Sequence, residues 1–264
     1  MNNSAPPPNS SSDLAPAPAR GARIEARGLG RRFGPYVALD NVSLSVEPGE
    51  CFGLLGANGA GKTTFIRLLT GFLVPSSGVL TVDGVSPARE PGTVQARLGY
   101  VPESPRLYPE LRVRDFLAFA AGLRGFRGGA RRRTVAESLE RFRLEAVDRR
   151  LIGHLSRGYR QRVSLAQAFL HDPTLVVVDE PSAGLDPVQR EEVREILAEL
   201  GGRCSLVLCT HDLGEARALS DRCGVLRRGT LVALGDSEDL LGGGNPLSLF
   251  RGPEAESGAR TPAQ

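Results

Sequence analysis

The stretch from residue 51 to residue 69 constrains the fold of this chain more than any other. An apolar run, Cys51 to Leu55, passes through the glycine-rich GANGAGKTT into a segment whose Phe65, Leu68 and Leu69 recur at helical spacing. This reads as a buried strand, a tight loop and a helix. The loop carries G-x-x-x-x-G-K-T as Gly56, Gly61, Lys62 and Thr63. Its glycines permit backbone angles and close approaches that a Cβ forbids, so that successive amide N–H groups converge on one point. The positive end of the following helix faces the same point. Such a loop cradles phosphate oxygens. Of the 33 cationic side chains, Lys62 is the single lysine and all the others are arginine. A compact ammonium fits between phosphates as a point charge where a planar guanidinium does not. Thr63 is placed to offer its hydroxyl to Mg2+.

A second run carries the complementary chemistry. Leu175 to Val178 is a continuous β-branched strand ending in Asp179 and Glu180. In an open parallel sheet, that places two carboxylates at the C-terminal edge, where ligands bind. Asp179 would hold Mg2+ and Glu180 would polarise an attacking water in line with a γ-phosphate. The apolar run Leu206 to Cys209 is another strand, and His211 follows it.

Around these runs the chain divides by composition. Residues 1–21 and 241–264 are rich in small polar residues and proline, which predicts tails, the first disordered and the second mostly so. Between them lies one α/β domain, residues 22–240. Ile24–Leu29, Val42–Val46 and Val79–Val82 read as strands, the last running into the turn Asp83-Gly84, and they predict a small antiparallel sheet beside the parallel core. About residues 105–155 the pattern becomes helical, with Val113–Ala121 and Thr134–Phe142 joined by GLRGFRGGARRR, which predicts an inserted helical subdomain. The arginines of that link, Arg124, Arg127, Arg131, Arg132 and Arg133, read as a solvated surface or as a contact for anionic lipid or a partner. Net charge is only +3, without a concentrated basic arm, so nucleic acid is not expected as a partner. No stretch approaches the roughly 18 apolar residues that cross a bilayer. Cys51, Cys204, Cys209 and Cys223 lack C-x-x-C spacing and read as reduced, buried thiols.

Over about residues 22–240 the chain resembles the nucleotide-binding subunit of ABC transporters. The resemblance rests on the P-loop, the signature-like LSRGY at 155–159, the Asp179-Glu180 pair, the SAGLD loop ending in Asp186, and the histidine of LCTHD, all in the family's order. It implies a P-loop NTPase core with a parallel sheet, an antiparallel β subdomain and the inserted helical subdomain. ATP would bind on Gly56, Ala57, Asn58, Gly59, Ala60, Gly61, Lys62, Thr63 and Thr64, with Phe33 stacked on adenine. Thr63, Asp179 and Glu103 would surround Mg2+. Glu180 would be the general base, Lys62 would act on the phosphates, and His211 would sense the γ-phosphate. Ser156, Gly158 and Asp186 would meet ATP held by a second copy of the subunit, so the resemblance implies a dimer, most simply a homodimer.

Three departures from the family pattern stand out. Glu103 replaces a glutamine, Arg157 a signature glycine and Tyr159 the signature glutamine. Such substitutions resemble those of export-type, ABC-2-like ATPases related to multidrug, gliding-motility and nitrous-oxide-reductase maturation transporters. The implied partner is a separate integral membrane permease docked on the helical subdomain, which places the chain peripherally on the cytoplasmic face of the membrane. The alternative is a soluble ABC-type ATPase acting on a ribosome, DNA or a scaffold. Those usually carry tandem cassettes or long coiled-coil insertions, and neither is found. A P-loop kinase gives no reason for LSRGYRQR or His211.

Overall fold

The computed structural model describes residues 20–243. The two tail readings therefore fall almost wholly outside the described residues. The described part does reach past residue 240: the last helix, α8 (Ser237–Gly242), buries Leu241.

A three-stranded antiparallel sheet is built from β1 (Ile24–Phe33), β2 (Tyr36–Val46) and β4 (Ser77–Val82), in the order β2-β1-β4. The expected antiparallel sheet is thus present, with β2 beginning six residues before Val42 because it pairs with β1 all the way to the Phe33–Tyr36 hairpin. The main sheet contains β3 (Cys51–Leu55), β5 (Leu98–Val101), β6 (Leu175–Asp179), β7 (Ser205–Thr210), β8 (Arg222–Arg227) and β9 (Thr230–Asp236). Its order is β5-β6-β7-β3-β8-β9, parallel except for the β8–β9 hairpin. Every residue of β3, β6 and β7 is buried, which is why these strands read as unbroken apolar runs rather than as alternating ones.

Alternation persists in which side chains meet. Val176, Val178, Leu206 and Leu208 face a core shared with the helical subdomain, while Leu175, Val177, Val207 and Cys209 face a core shared with the antiparallel sheet and α1 (Lys62–Leu69). All four cysteines are free and buried, and burial pushes the Cys204 thiol up to about 11.

The helical subdomain contains α3 (Val113–Leu123) and α4 (Gly128–Arg141), packed on each other and on α5 (Arg157–Phe169). The run GGARRR is not a link but the first two turns of α4, since arginine is a good helix former and the real connection is the short Arg124–Arg127. The remaining helices are α2 (Pro91–Gln95), α6 (Pro187–Glu199) and α7 (Leu213–Leu219).

Candidate functional site

Three adjacent strands deliver the site. In the order β6-β7-β3, each ends at the same edge of the sheet. Beyond them lie Asp179-Glu180, His211 and the loop Gly56–Gly61. An open cleft of about 360 Å3 forms there, lined by Ala57 to Thr64 together with Tyr36, Glu103, Asp179, Glu180 and His211. A larger groove of about 700 Å3 lies between α4 and the end of α5, but it holds none of the phosphate-loop residues or the carboxylates at the strand ends. The smaller cleft is therefore the chemical site.

The loop takes the shape its glycines allow. Gly59 and Gly61 have φ of 78° and 113°, and a Cβ on Gly61 would stand 2.8 Å from the Ala38 carbonyl oxygen. No side chain caps the first turn of α1, so its N–H groups are left facing the cleft. Lys62 is 6% exposed. Its ammonium donates to the Gly56 carbonyl oxygen at 2.6 Å and lies 3.2 Å from Glu180 Oε1. That second contact is an ion pair by distance only, because Glu180 Oε1 is buried without an aligned hydrogen bond. The other carboxylate oxygen, Oε2, meets His211 Nδ1 at 2.8 Å and the His211 backbone N–H at 3.4 Å. Glu180 also has φ of +47°, rare for a residue with a Cβ, while its own N–H continues the parallel ladder to the Cys209 carbonyl oxygen at 2.8 Å. Backbone strain of this kind gathers at functional positions.

Burial, followed by the nearby charges of Glu180 and Glu103, pushes the Asp179 carboxyl up to about 6, with Lys62 opposing. The cleft thus holds more negative than positive charge and suits a bound cation. Among the described residues, no group of three His, Cys, Asp or Glu side chains closes around a metal by itself. Mg2+ in general is held by one or two side chains together with ligand phosphates and water.

The residues expected near adenine and the signature lie elsewhere. Tyr36, which the sequence reading missed, lines the cleft; Phe33 does not, but sits 41% exposed at the same hairpin with the Arg31 guanidinium 4.6 Å from its ring centroid. Two aromatics facing each other across a β-turn were the available signal. Ser156 caps α5 by accepting from the Tyr159 N–H at 3.3 Å, the Gly158 N–H donates to Gln189 Oε1 at 3.1 Å, and Asp186 caps α6 by accepting from the Gln189 N–H at 2.9 Å. Gly158 and Asp186 are therefore joined through Gln189, with Ser156 two residues before Gly158 at the start of α5, and none of the three lines the cleft. Arg157 lies over Gly184 of the SAGLD loop so closely that a Cβ there would strike its guanidinium. Glu215, 1% exposed, accepts from the Ser182 hydroxyl and so ties this loop to the segment after His211.

A phosphate-cradling loop, a buried lysine and two carboxylates at one edge of a parallel sheet define a nucleotide-binding ATPase domain of the P-loop class. The family model described as ABC transporter matches residues 39–183, more than half of the chain. The chain belongs to this family, as its ATP-binding component. It is 37% identical over 218 residues to a probable multidrug ABC transporter ATP-binding protein, YbhF, of Escherichia coli (strain K12), covering 82% of this chain. The chain spans only 38% of the length of that relative. It is also 37% identical over 221 residues to the Nod factor export ATP-binding protein I of Burkholderia orbicola (strain AU 1054), covering 83% of this chain and 73% of that protein. A solved structure of the ATP binding subunit of an ABC transporter superposes with a TM-score of 0.72 at 31% identity, covering 88% of this chain and 96% of the other.

Proposed function

We propose that this chain binds ATP with Mg2+, pairs with a second copy of itself around two nucleotides, and hydrolyses them to drive a separate membrane permease that exports its cargo. The observation that carries this reading is the meeting of Lys62, Asp179, Glu180 and His211 in one cleft with the P-loop. The P-loop amides and Lys62 bind the phosphates. Thr63, Asp179 and Glu103 hold Mg2+, which, when bound, neutralises charge developing on the transferred phosphoryl group. Tyr36 or Phe33 provides a π face for adenine.

Glu180 is the general base. One of its oxygens is fixed by His211, while the other lies 3.2 Å from the Lys62 ammonium without an aligned hydrogen bond, so it can take a proton from water once Lys62 turns to the phosphates. Facing a carboxylate, His211 carries its proton on Nδ1 and presents Nε2, placing it to read the γ-phosphate. Ser156, Gly158 and Asp186 lie away from this chain's own cleft, which supports their serving ATP bound by the partner copy. The YbhF and Nod factor export relatives support export. Among the described residues no helix is long and apolar enough to cross a membrane, which supports a permease on another chain or chain segment.

Glu180→Gln tests this reading. It keeps the shape and removes the base, so ATP affinity should stay within a few fold while turnover falls by at least about a hundredfold. An ATP-bound dimer should accumulate on size exclusion. Wild-type steady-state hydrolysis in this variant would refute the assignment.

A further inference from the structure

From Phe116 to Ala136 the chain contains five arginines and no carboxylate, although the whole sequence is nearly balanced at 33 cationic and 30 anionic side chains. One of the five is committed to the fold: Arg124 donates to the carbonyl oxygens of Gln95 and Leu98 and fixes the end of α3 to α2 and β5. The other four, Arg127, Arg131, Arg132 and Arg133, are exposed. None of them pairs with a carboxylate among the described residues, whereas exposed arginines nearby do, as in Arg114–Asp148 and the Arg143 pairs with Glu195 and Glu199. They crowd where α4 begins, the end at which the helix dipole is already positive, and no acidic residue occupies the first turn. Within the isolated chain this arrangement is repulsive. An external anion relieves it.

The neighbouring apolar residues indicate which anion. Leu123 is 74% exposed at the end of α3, Phe119 is 45% exposed one turn before it, and the Tyr108 ring stands edge-on to Phe119 at 5.7 Å. This apolar stripe ends at the arginine corner. We propose that the α3–α4 corner rests on an anionic phospholipid surface, with Leu123 entering the headgroup region and the four guanidiniums pairing with lipid phosphates. The corner carries Gly122, Gly125, Gly128 and Gly129. A diffuse set of cations on such a corner suits a fluid array of headgroups better than one fixed acidic partner. The inference requires no permease contact and is tested without a permease.

The test is co-sedimentation of the full chain with vesicles of phosphatidylcholine, with and without phosphatidylglycerol. Binding should require the anionic lipid and weaken as salt rises. The triple variant Arg131→Gln, Arg132→Gln, Arg133→Gln should weaken it by about a hundredfold. That variant should remain folded, because it removes cations from the positive end of a helix. A control with three exposed arginines changed elsewhere, Arg27→Gln, Arg32→Gln, Arg89→Gln, should bind nearly as wild type. Equal losses in both triple variants would reduce the effect to net charge and overturn the proposal. Failure to bind anionic vesicles, even if the same variants lose a permease, would also overturn it and assign the corner to protein.

Discussion

At the residue scale, the single lysine and the paired carboxylates explain one another. The Lys62 ammonium occupies a space bounded by the Gly56 carbonyl oxygen and Glu180. A planar guanidinium with five donors in a fixed fork would have more donors than these two acceptors can satisfy. Asp179 has no such cation to itself, and its carboxyl stands near 6 rather than at its ordinary 3.8. A carboxyl raised in the folded state works against folding once it ionises. The contribution of Asp179 to stability is therefore highest below about 3.8, falls as pH rises toward 6, and stays reduced above it. The full shift corresponds to an upper bound of about 3 kcal/mol, and water entering the open cleft reduces the expected effect to on the order of 1–2 kcal/mol. Asp179→Asn, measured by thermal melting without nucleotide or divalent cation, should accordingly be more stable than wild type at pH 8. The advantage should shrink at pH 5. An advantage that did not change with pH would mean that the charge of Asp179 is already balanced in the fold.

At the scale of elements, the signature helix α5 is held in place by how closely it approaches the sheet. Gly99 of β5 passes under α5 at such short range that a Cβ there would lie 2.5 Å from the Ala168 carbonyl oxygen and 3.3 Å from Pro173 Cγ. A backbone carbonyl cannot rotate aside as a side chain can. Gly99→Ala should therefore destabilise the protein by about 1–3 kcal/mol, a fall of about 2–4 °C in Tm for each kcal/mol. Gly92→Ala, in α2 with nothing within 4 Å of the added Cβ, should be neutral or slightly stabilising. Equal effects would show that loss of glycine entropy, not the α5 contact, governs Gly99. The sequence carried no sign of this approach, because a close backbone contact between residues 99 and 168 depends on the tertiary fold. The same reason hid Gln189, whose side chain accepts from the signature while its backbone N–H donates to Asp186 of the SAGLD loop. The elements that were legible, β3, α1 and β6, are those whose apolar period and loop chemistry coincide locally. The start of α4 was misread because its arginines and glycines have no apolar period, and β5, only four residues long, is too short to show one.

For the whole molecule, the proposed function requires a surface that passes the work of the cleft to a permease. The strand edge bearing the P-loop was legible because catalysis requires named residue types at fixed spacing. A docking surface requires only exposure and shape, which a one-dimensional pattern does not reveal. The segment after Glu103 contains Leu107, Tyr108, Leu111, Phe116 and Phe119, dense enough in sequence to build an apolar patch. In the fold they separate: Phe116 is 2% exposed and belongs to the core, Leu107 and Leu111 pack partly against it, while Tyr108 and Phe119 are 48% and 45% exposed. Tyr108 follows Glu103, a wall of the cleft, by five residues, so a push on the ring has a short covalent path to the site. Exposed aromatics that stack on each other are common anchors of protein interfaces. Tyr108→Asp should leave the chain folded and able to bind ATP, because the half-exposed ring meets the core only at Phe116, with ring centroids 6.0 Å apart, while placing a charge in the middle of the patch. Co-purification with the permease from membranes should then fall at least about tenfold, equivalent to roughly 1.4 kcal/mol, with Tm changed by no more than a few degrees. Retained co-purification with a clearly lowered Tm would make the Tyr108–Phe119 pair part of the subdomain's own packing and move the docking surface elsewhere.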